Sequence, residues 1–382
     1  MAVQRFTIQT SDEALADLND RLKHTRFPKQ STLNGWERGT DTEYLLSFLC
    51  YWRDKYNWRE QEKKLNSLNH FICNIDEIDV HFIHERGRGP NPIPVILTHG
   101  WPDSFLRYEK IIPLLTDPAR YGGDPADSFD VIIPSIPGFG FSSQSSTKGM
   151  NNDSISELWV KLMTEELGYY KFAAGGGDMG SGITRYMAYH HPDQLIGIHL
   201  TDVGIIRSLM TSNTPSLLTD EELQYQKNAL DWIAKEGGYM SIQSTKPQTL
   251  SYGISDSPIG LASWILDKFH AWSDCQDDLS NRFTMDELLN NIMLYWITNS
   301  FATSANRYYD NSSLPPIGKI DVPTGIALFS GDVLPPPKEW VKRNFNLTQW
   351  STITSGGHFT AMEEPEQFAE DIRAFYRPLR NK

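Results

Sequence analysis

The chain of 382 residues holds only three cysteines, Cys50, Cys73 and Cys275. They are far apart and show no CxxC spacing, which gives little support to a disulfide framework or a cysteine-ligated zinc site. Basic residues are in deficit: 35 Lys and Arg against 48 Asp and Glu leave a net charge of −13. That balance argues against general nucleic-acid binding and against polybasic attachment to a membrane surface. No apolar run approaches the ~18 residues of a membrane span, and the N-terminal stretch has no apolar core of a signal peptide. Internal repeats and low-complexity tracts are absent. The expectation is a soluble, cytoplasmic protein with no membrane anchor. What is present is 39 % hydrophobic and 22 % charged residues, a mix able to bury a sizeable core. The length suggests two or three units, or one large α/β domain with insertions.

Residues 1–70 read as a mostly helical extension. Ser11-Asp12-Glu13 is an N-cap signal ahead of Leu15, Leu18 and Leu22, and Thr42–Trp58 carries a second helical pattern. Trp36, Trp52, Tyr56 and Trp58 are expected to anchor this segment onto the rest of the molecule. The texture then changes. Ile78–Phe82 alternates like a half-exposed strand, while Pro94–Thr98, Phe129–Pro134, Phe172–Gly176, Leu195–Leu200, Thr324–Phe329 and Gln349–Thr354 are short apolar runs with the look of buried strands. Helical patterns lie between them, which implies a mainly parallel sheet covered on both faces. Between 206 and 317 the strand signal stops, and Glu221–Glu236, Ile259–Trp272 and Met285–Ser300 read as helices. The expected division is an extension over 1–70, an α/β core over 71–205 and 318–382, and a helical lid over 206–317 above the C-terminal strand ends, where open α/β sheets bind ligands.

Gly176-Gly177-Asp178-Met179-Gly180 follows a small-residue strand and precedes a helix. This is the nucleophile-elbow pattern of the α/β-hydrolase fold, with Asp178 where a serine hydrolase has serine. The bland alternative is a glycine-rich turn in which Asp178 caps the helix. The other motifs favour the elbow. His99-Gly100-Trp101-Pro102 ends a buried strand where the fold supplies an oxyanion donor, so the expected pair of donors is the Trp101 and Met179 amides. Gly356-Gly357-His358-Phe359 follows the last apolar run and offers His358 as general base. Asp332, just past an earlier strand, is the expected carboxylate to orient it, with Asp202 as second choice. The order nucleophile, acid, histidine matches that fold.

HGWPDSF, IPGFGFS, GGGDMGS, GGYM, NRYY and GGHFTAMEEPE together resemble the microsomal-type epoxide hydrolases, from about residue 5 to the C-terminus. The resemblance implies an α/β-hydrolase core with a helical lid. It also implies two lid tyrosines acting as acids on the epoxide oxygen, matching Tyr239 and Tyr309, with Tyr308 one residue away from the second. It implies a small apolar epoxide and water as reactants, a covalent ester on Asp178, hydrolysis by water activated through His358 and Asp332, and a vicinal diol as product. No cofactor and no metal are expected. Two departures stand out: Met179 replaces the tryptophan usual after the nucleophile, and the anchor of membrane-bound members is not expected here.

The nearest rival reading is a haloalkane or haloacid dehalogenase, which shares the fold and the aspartate nucleophile but needs halide donors near the HG motif and the elbow. Met179 and the lid tyrosines favour epoxides instead. A serine esterase is disfavoured because an aspartate would yield an anhydride. A non-catalytic hydrolase-fold binding protein is disfavoured because every catalytic position is filled. The natural epoxide, its stereochemistry, a homodimeric state and the biological role (detoxification, hormone turnover or biosynthesis) are left open.

Overall fold

The computed structural model describes residues 3–29, 35–145, 149–212, 214–314 and 316–380. Its frame is a sheet of nine strands: β1 (Gln4–Arg5), β2 (His70–Ile75), β3 (Ile78–Glu85), β4 (Ile93–Thr98), β5 (Phe129–Pro134), β6 (Phe172–Gly176), β7 (Leu195–Leu200), β8 (Ile320–Gly331) and β9 (Phe345–Gly357). They run in the order β1-β2-β3-β5-β4-β6-β7-β8-β9. The pairings from β1 through β3 to β5 are antiparallel, and those from β5 to β9 are parallel. Every residue of β5 and β6 is buried, as a central strand with helices on both faces demands. The fold is that of the α/β hydrolases.

Sequence periodicity located seven of these strands and passed over β1 and β2. β2 alternates weakly (HFICNI) and lies at the join with the helical extension, and β1 is two residues long. The pattern over Thr42–Trp58 resolves into helices Thr42–Asp54 and Trp58–Leu65. The break is chemical: the Asn57 side chain accepts the N–H groups of Arg59 and Glu60 and so starts a second helix.

Between β7 and β8 the chain is helical, including Asp220–Glu236, Gly238–Thr245, Pro247–Asp256, Pro258–Trp272, Met285–Thr298 and Phe301–Asp310. The N-terminal segment is tied to these helices. Trp36 stacks on His270 with ring centroids 3.9 Å apart. Tyr51 and Tyr56 donate to Asp286 and Asn290 at 2.9 and 2.7 Å, and Arg21 pairs with Asp256 at 2.8 Å. Trp52 and Trp58 are buried beneath them. Among the described residues, no helix is long and apolar enough to cross a membrane.

Candidate active site

The elbow connects β6 to helix Met179–His190. Asp178 sits at its apex with φ 53° and ψ −126°, a conformation L residues adopt only when the surroundings enforce it. Two glycines make the enforcement sterically feasible. A Cβ on Gly180 would lie 1.9 Å from the Thr98 carbonyl oxygen, and one on Gly100 would lie 2.3 Å from Asp178 Oδ1. The Asp178 side chain makes no capping bond to its helix, which removes the bland reading of the motif.

Its carboxylate is instead divided between two partners. The Trp101 amide donates to Oδ1 at 2.8 Å, and His358 Nε2 lies 3.5 Å from Oδ2. Met179 opens the helix, so its N–H has no intrahelical carbonyl to meet, and the residue lines the same chamber. On the far side of the imidazole, Asp332 Oδ1 meets His358 Nδ1 at 2.9 Å. Asp202, the second candidate for that role, is used differently: Oδ2 accepts the Asp178 N–H at 2.5 Å and Oδ1 accepts the Gly204 N–H at 2.9 Å. It holds the elbow rather than the imidazole. Asp202, Asp332 and His358 each bring one potential ligand atom within 4.8 Å of the others. Backbone amides and the imidazole already account for these carboxylates, so hydrogen bonding explains the cluster without a metal.

Electrostatics follow from burial. Burial pulls the His358 pKa down, but the charges of Asp332 and Asp178 outweigh it and leave it well above the ordinary imidazole value. Burial, with the neighbouring Asp332 and Asp178 charges, pushes Asp202 up to about 6.

The chamber above Asp178 has a volume of about 600 Å³ and is walled by Met179, Trp232, Tyr239, Trp272, Tyr308 and Leu334 among others. Tyr239 and Tyr308 meet edge to face, with centroids 5.6 Å apart, and each also contacts the Trp101 ring. Burial, then the charge of Asp178, raises the Tyr239 pKa. Burial, with Tyr239 and Asp178, does the same for Tyr308, so both phenols are protonated donors at neutral pH. Tyr309 is not brought to the chamber. It is 56 % exposed and does not line the cavity. Both tyrosines lie on helix Phe301–Asp310, where successive residues are turned by about 100°. If Tyr308 faces inward, Tyr309 cannot.

Three supporting groups escaped sequence reading. Asp103 accepts the Gly100 N–H at 2.7 Å and pairs with the buried Arg107, whose Nη2 also donates to the His358 carbonyl oxygen. This pair joins the donor loop to the histidine loop. Glu363, which charge patterning alone assigns to a solvated helix start, has a fully buried side chain. It accepts the N–H groups of Asp274, Gly357 and Phe359 at 2.9, 2.9 and 3.0 Å. Asp274 likewise is bound, to Arg282 at 2.6 Å. The HGWPDSF and GGHFTAMEEPE motifs held the signal, since both place an acid a few residues from a glycine turn.

The geometry can be set beside known proteins. The family model described as "Epoxide hydrolase N terminus" matches residues 3–108, and that of the alpha/beta hydrolase fold matches 93–236. The chain is 39 % identical to epoxide hydrolase 1 of Sus scrofa, over 98 % of its own length and 88 % of the relative's. The crystal structure of juvenile hormone epoxide hydrolase from the silkworm Bombyx mori superposes with a TM-score of 0.90 at 31 % identity, covering 100 % of this chain and 95 % of that one. The Aspergillus niger epoxide hydrolase gives 0.87 at 26 %, covering 99 % and 97 %.

Proposed function

Since the chain belongs to the epoxide hydrolases, we propose that it opens its substrate through a covalent ester on Asp178 and hydrolyses that ester to a vicinal diol. The observation that carries this reading is the divided carboxylate. Oδ1 rests on the Trp101 amide at 2.8 Å, leaving Oδ2 as the oxygen free to attack an epoxide carbon held in line. Ring strain supplies the driving force that a modest nucleophile lacks. Tyr239 and Tyr308 face each other across the same chamber and donate to the epoxide oxygen as it becomes an alkoxide. Tyr308 takes the role that sequence resemblance gives to Tyr309.

Esterification removes the negative charge of Asp178, one of the two charges that hold the His358 pKa up. The imidazole then gives up its proton more readily and becomes a base for water, oriented by Asp332. Water adds to the ester carbonyl carbon, and the oxygen that becomes the oxyanion is Oδ1, already lodged on the Trp101 amide, with the Met179 amide as second donor. Collapse of the tetrahedral species expels the diol with the former Oδ2. The N-terminal segment 1–70 and the lid 206–317 act together in this account, the first holding the second over the chamber.

The test is trapping. His358→Gln incubated with styrene oxide is expected to gain the mass of one substrate molecule, located by peptide mass spectrometry at Asp178. Unmodified protein, with wild type producing diol, would rule out the ester.

A further inference from the structure

A second chamber of about 670 Å³ lies beside the first and shares Asp178, Gly204, Ile205 and Arg207 with it. Ile317, Trp340 and Phe345 supply apolar wall. Two guanidinium groups, Arg185 and Arg207, also line it, and Asp178 is the only acid among its lining residues. Arg207 borders both chambers and so marks their junction.

Arg185 is set apart from the other arginines sunk into this protein. Arg107 pairs with Asp103, Arg373 with Glu370, and Arg307 lies 3.8 Å from Asp310. Arg185 forms no ion pair among the described residues. Its Nη1 donates to the Val203 carbonyl at 3.0 Å, its guanidinium lies over Phe345 at 5.6 Å, and its Nε is buried with no partner. Asp202 is near enough to act on it electrostatically, yet both Asp202 oxygens are committed to backbone amides. Arg207 donates to the Ser312 carbonyl and likewise has no carboxylate among the described residues. A partly buried guanidinium lacking an acid beside it is costly unless a ligand supplies the acid. An unused Nε edge is the face that binds a carboxylate with two parallel hydrogen bonds.

We propose that this second chamber is a carboxylate-binding annex, and that the enzyme favours epoxides carrying a carboxylate on an apolar chain. The proposal rests on the epoxide hydrolase reading and narrows it to a substrate class. Helix geometry sets the chain length. Arg185 lies seven residues beyond Asp178 on the same helix, roughly 10 Å along its axis at 1.5 Å per residue. The apolar spacer runs along the wall between the two, and the carboxylate meets Arg185 with Arg207 at the junction.

The experiment compares 10,11-epoxyundecanoic acid with its primary amide, of equal length and no charge, with styrene oxide as a neutral reference. Wild-type kcat/KM is expected to favour the acid by about 10- to 100-fold, the range for a charge-assisted pair of hydrogen bonds, mainly through KM. In Arg185→Met and Arg207→Met that ratio is expected to fall toward one. The ratio is taken within one preparation, so partial misfolding that lowers both rates cancels. Equal rates on acid and amide in the wild type, with styrene oxide still opened, overturn the annex and leave the hydrolase intact. A preference for the acid that survives both substitutions overturns its assignment to these arginines. No turnover of any of the three brings down the epoxide reading itself, and this inference with it.

Discussion

The backbone N–H of Trp101 lies 2.8 Å from Oδ1 of Asp178, so the donor that will receive an oxyanion already grips the nucleophile at rest. The cis Trp101–Pro102 peptide sits in the same loop, and Asn291 and Tyr295 of the lid donate to the carbonyls of Pro102 and Asp103 at 2.8 Å each. Lid and core therefore share the loop that fixes this donor. One carboxylate oxygen is committed throughout the cycle, and the other does the chemistry.

Tyr239→Phe and Tyr308→Phe should each lower the rate of ester formation by about 10²-fold, the scale for losing a positioned general acid. Tyr309→Phe should leave it within about twofold, because its side chain faces solvent. Single-turnover rates on styrene oxide check all three. A large loss in Tyr309→Phe with none in Tyr308→Phe would reverse the assignment.

Asp332→Asn should slow ester hydrolysis more than ester formation. Nδ1 of His358 is 2.9 Å from Asp332, and the carboxylate stabilises the imidazolium that forms only in the second step. Rapid-quench measurement of both steps is expected to show ester accumulating. Equal slowing of both steps would contradict the division of labour.

Glu363→Gln should destabilise the protein by about 1–3 kcal/mol, because one amide oxygen must replace a carboxylate that takes three buried N–H groups. These bonds bracket His358, so hydrolysis of the ester should slow as well. Urea unfolding and the ester decay rate measure the two effects. Unchanged decay would confine Glu363 to stability.

Acid sensitivity has an identifiable contributor in His84. Burial, then the charge of Arg86, depresses its pKa to about 4, against about 6.5 in the unfolded chain. Its stabilising contribution is complete above about 6.5 and is lost as pH falls, since the unfolded chain takes up the proton first. At pH 5 the loss is about 2 kcal/mol. His84→Phe should therefore lose less stability than wild type between pH 7 and pH 5. Parallel losses would show that His84 is not the source.

Much of this was legible in the residues. Central strands such as Phe129–Pro134 are short, apolar on both faces and bounded by turn residues, so period alone finds them. Asp178 and His358 stand in glycine-rich turns that have few other uses. What could not be read is rotation and reach. Tyr308 and Tyr309 are chemically identical neighbours, and only packing of helix Phe301–Asp310 decides which faces inward. Glu363 sits in an acidic run that resembles a solvated helix start, and its burial depends on Asp274, 89 residues away in sequence. The lid helices Gly238–Thr245 and Pro247–Asp256 are divided only at Lys246, a break that weak periodicity did not mark.

The most direct test of the central claim is one turnover in heavy-oxygen water, with enzyme in excess over styrene oxide. The account expects the heavy oxygen in the Asp178 peptide and an unlabelled diol, because water attacks the ester carbonyl and the diol leaves with an aspartate oxygen. Label in the diol and none in the peptide would mean that water attacks the epoxide directly, and Asp178 would not be the nucleophile.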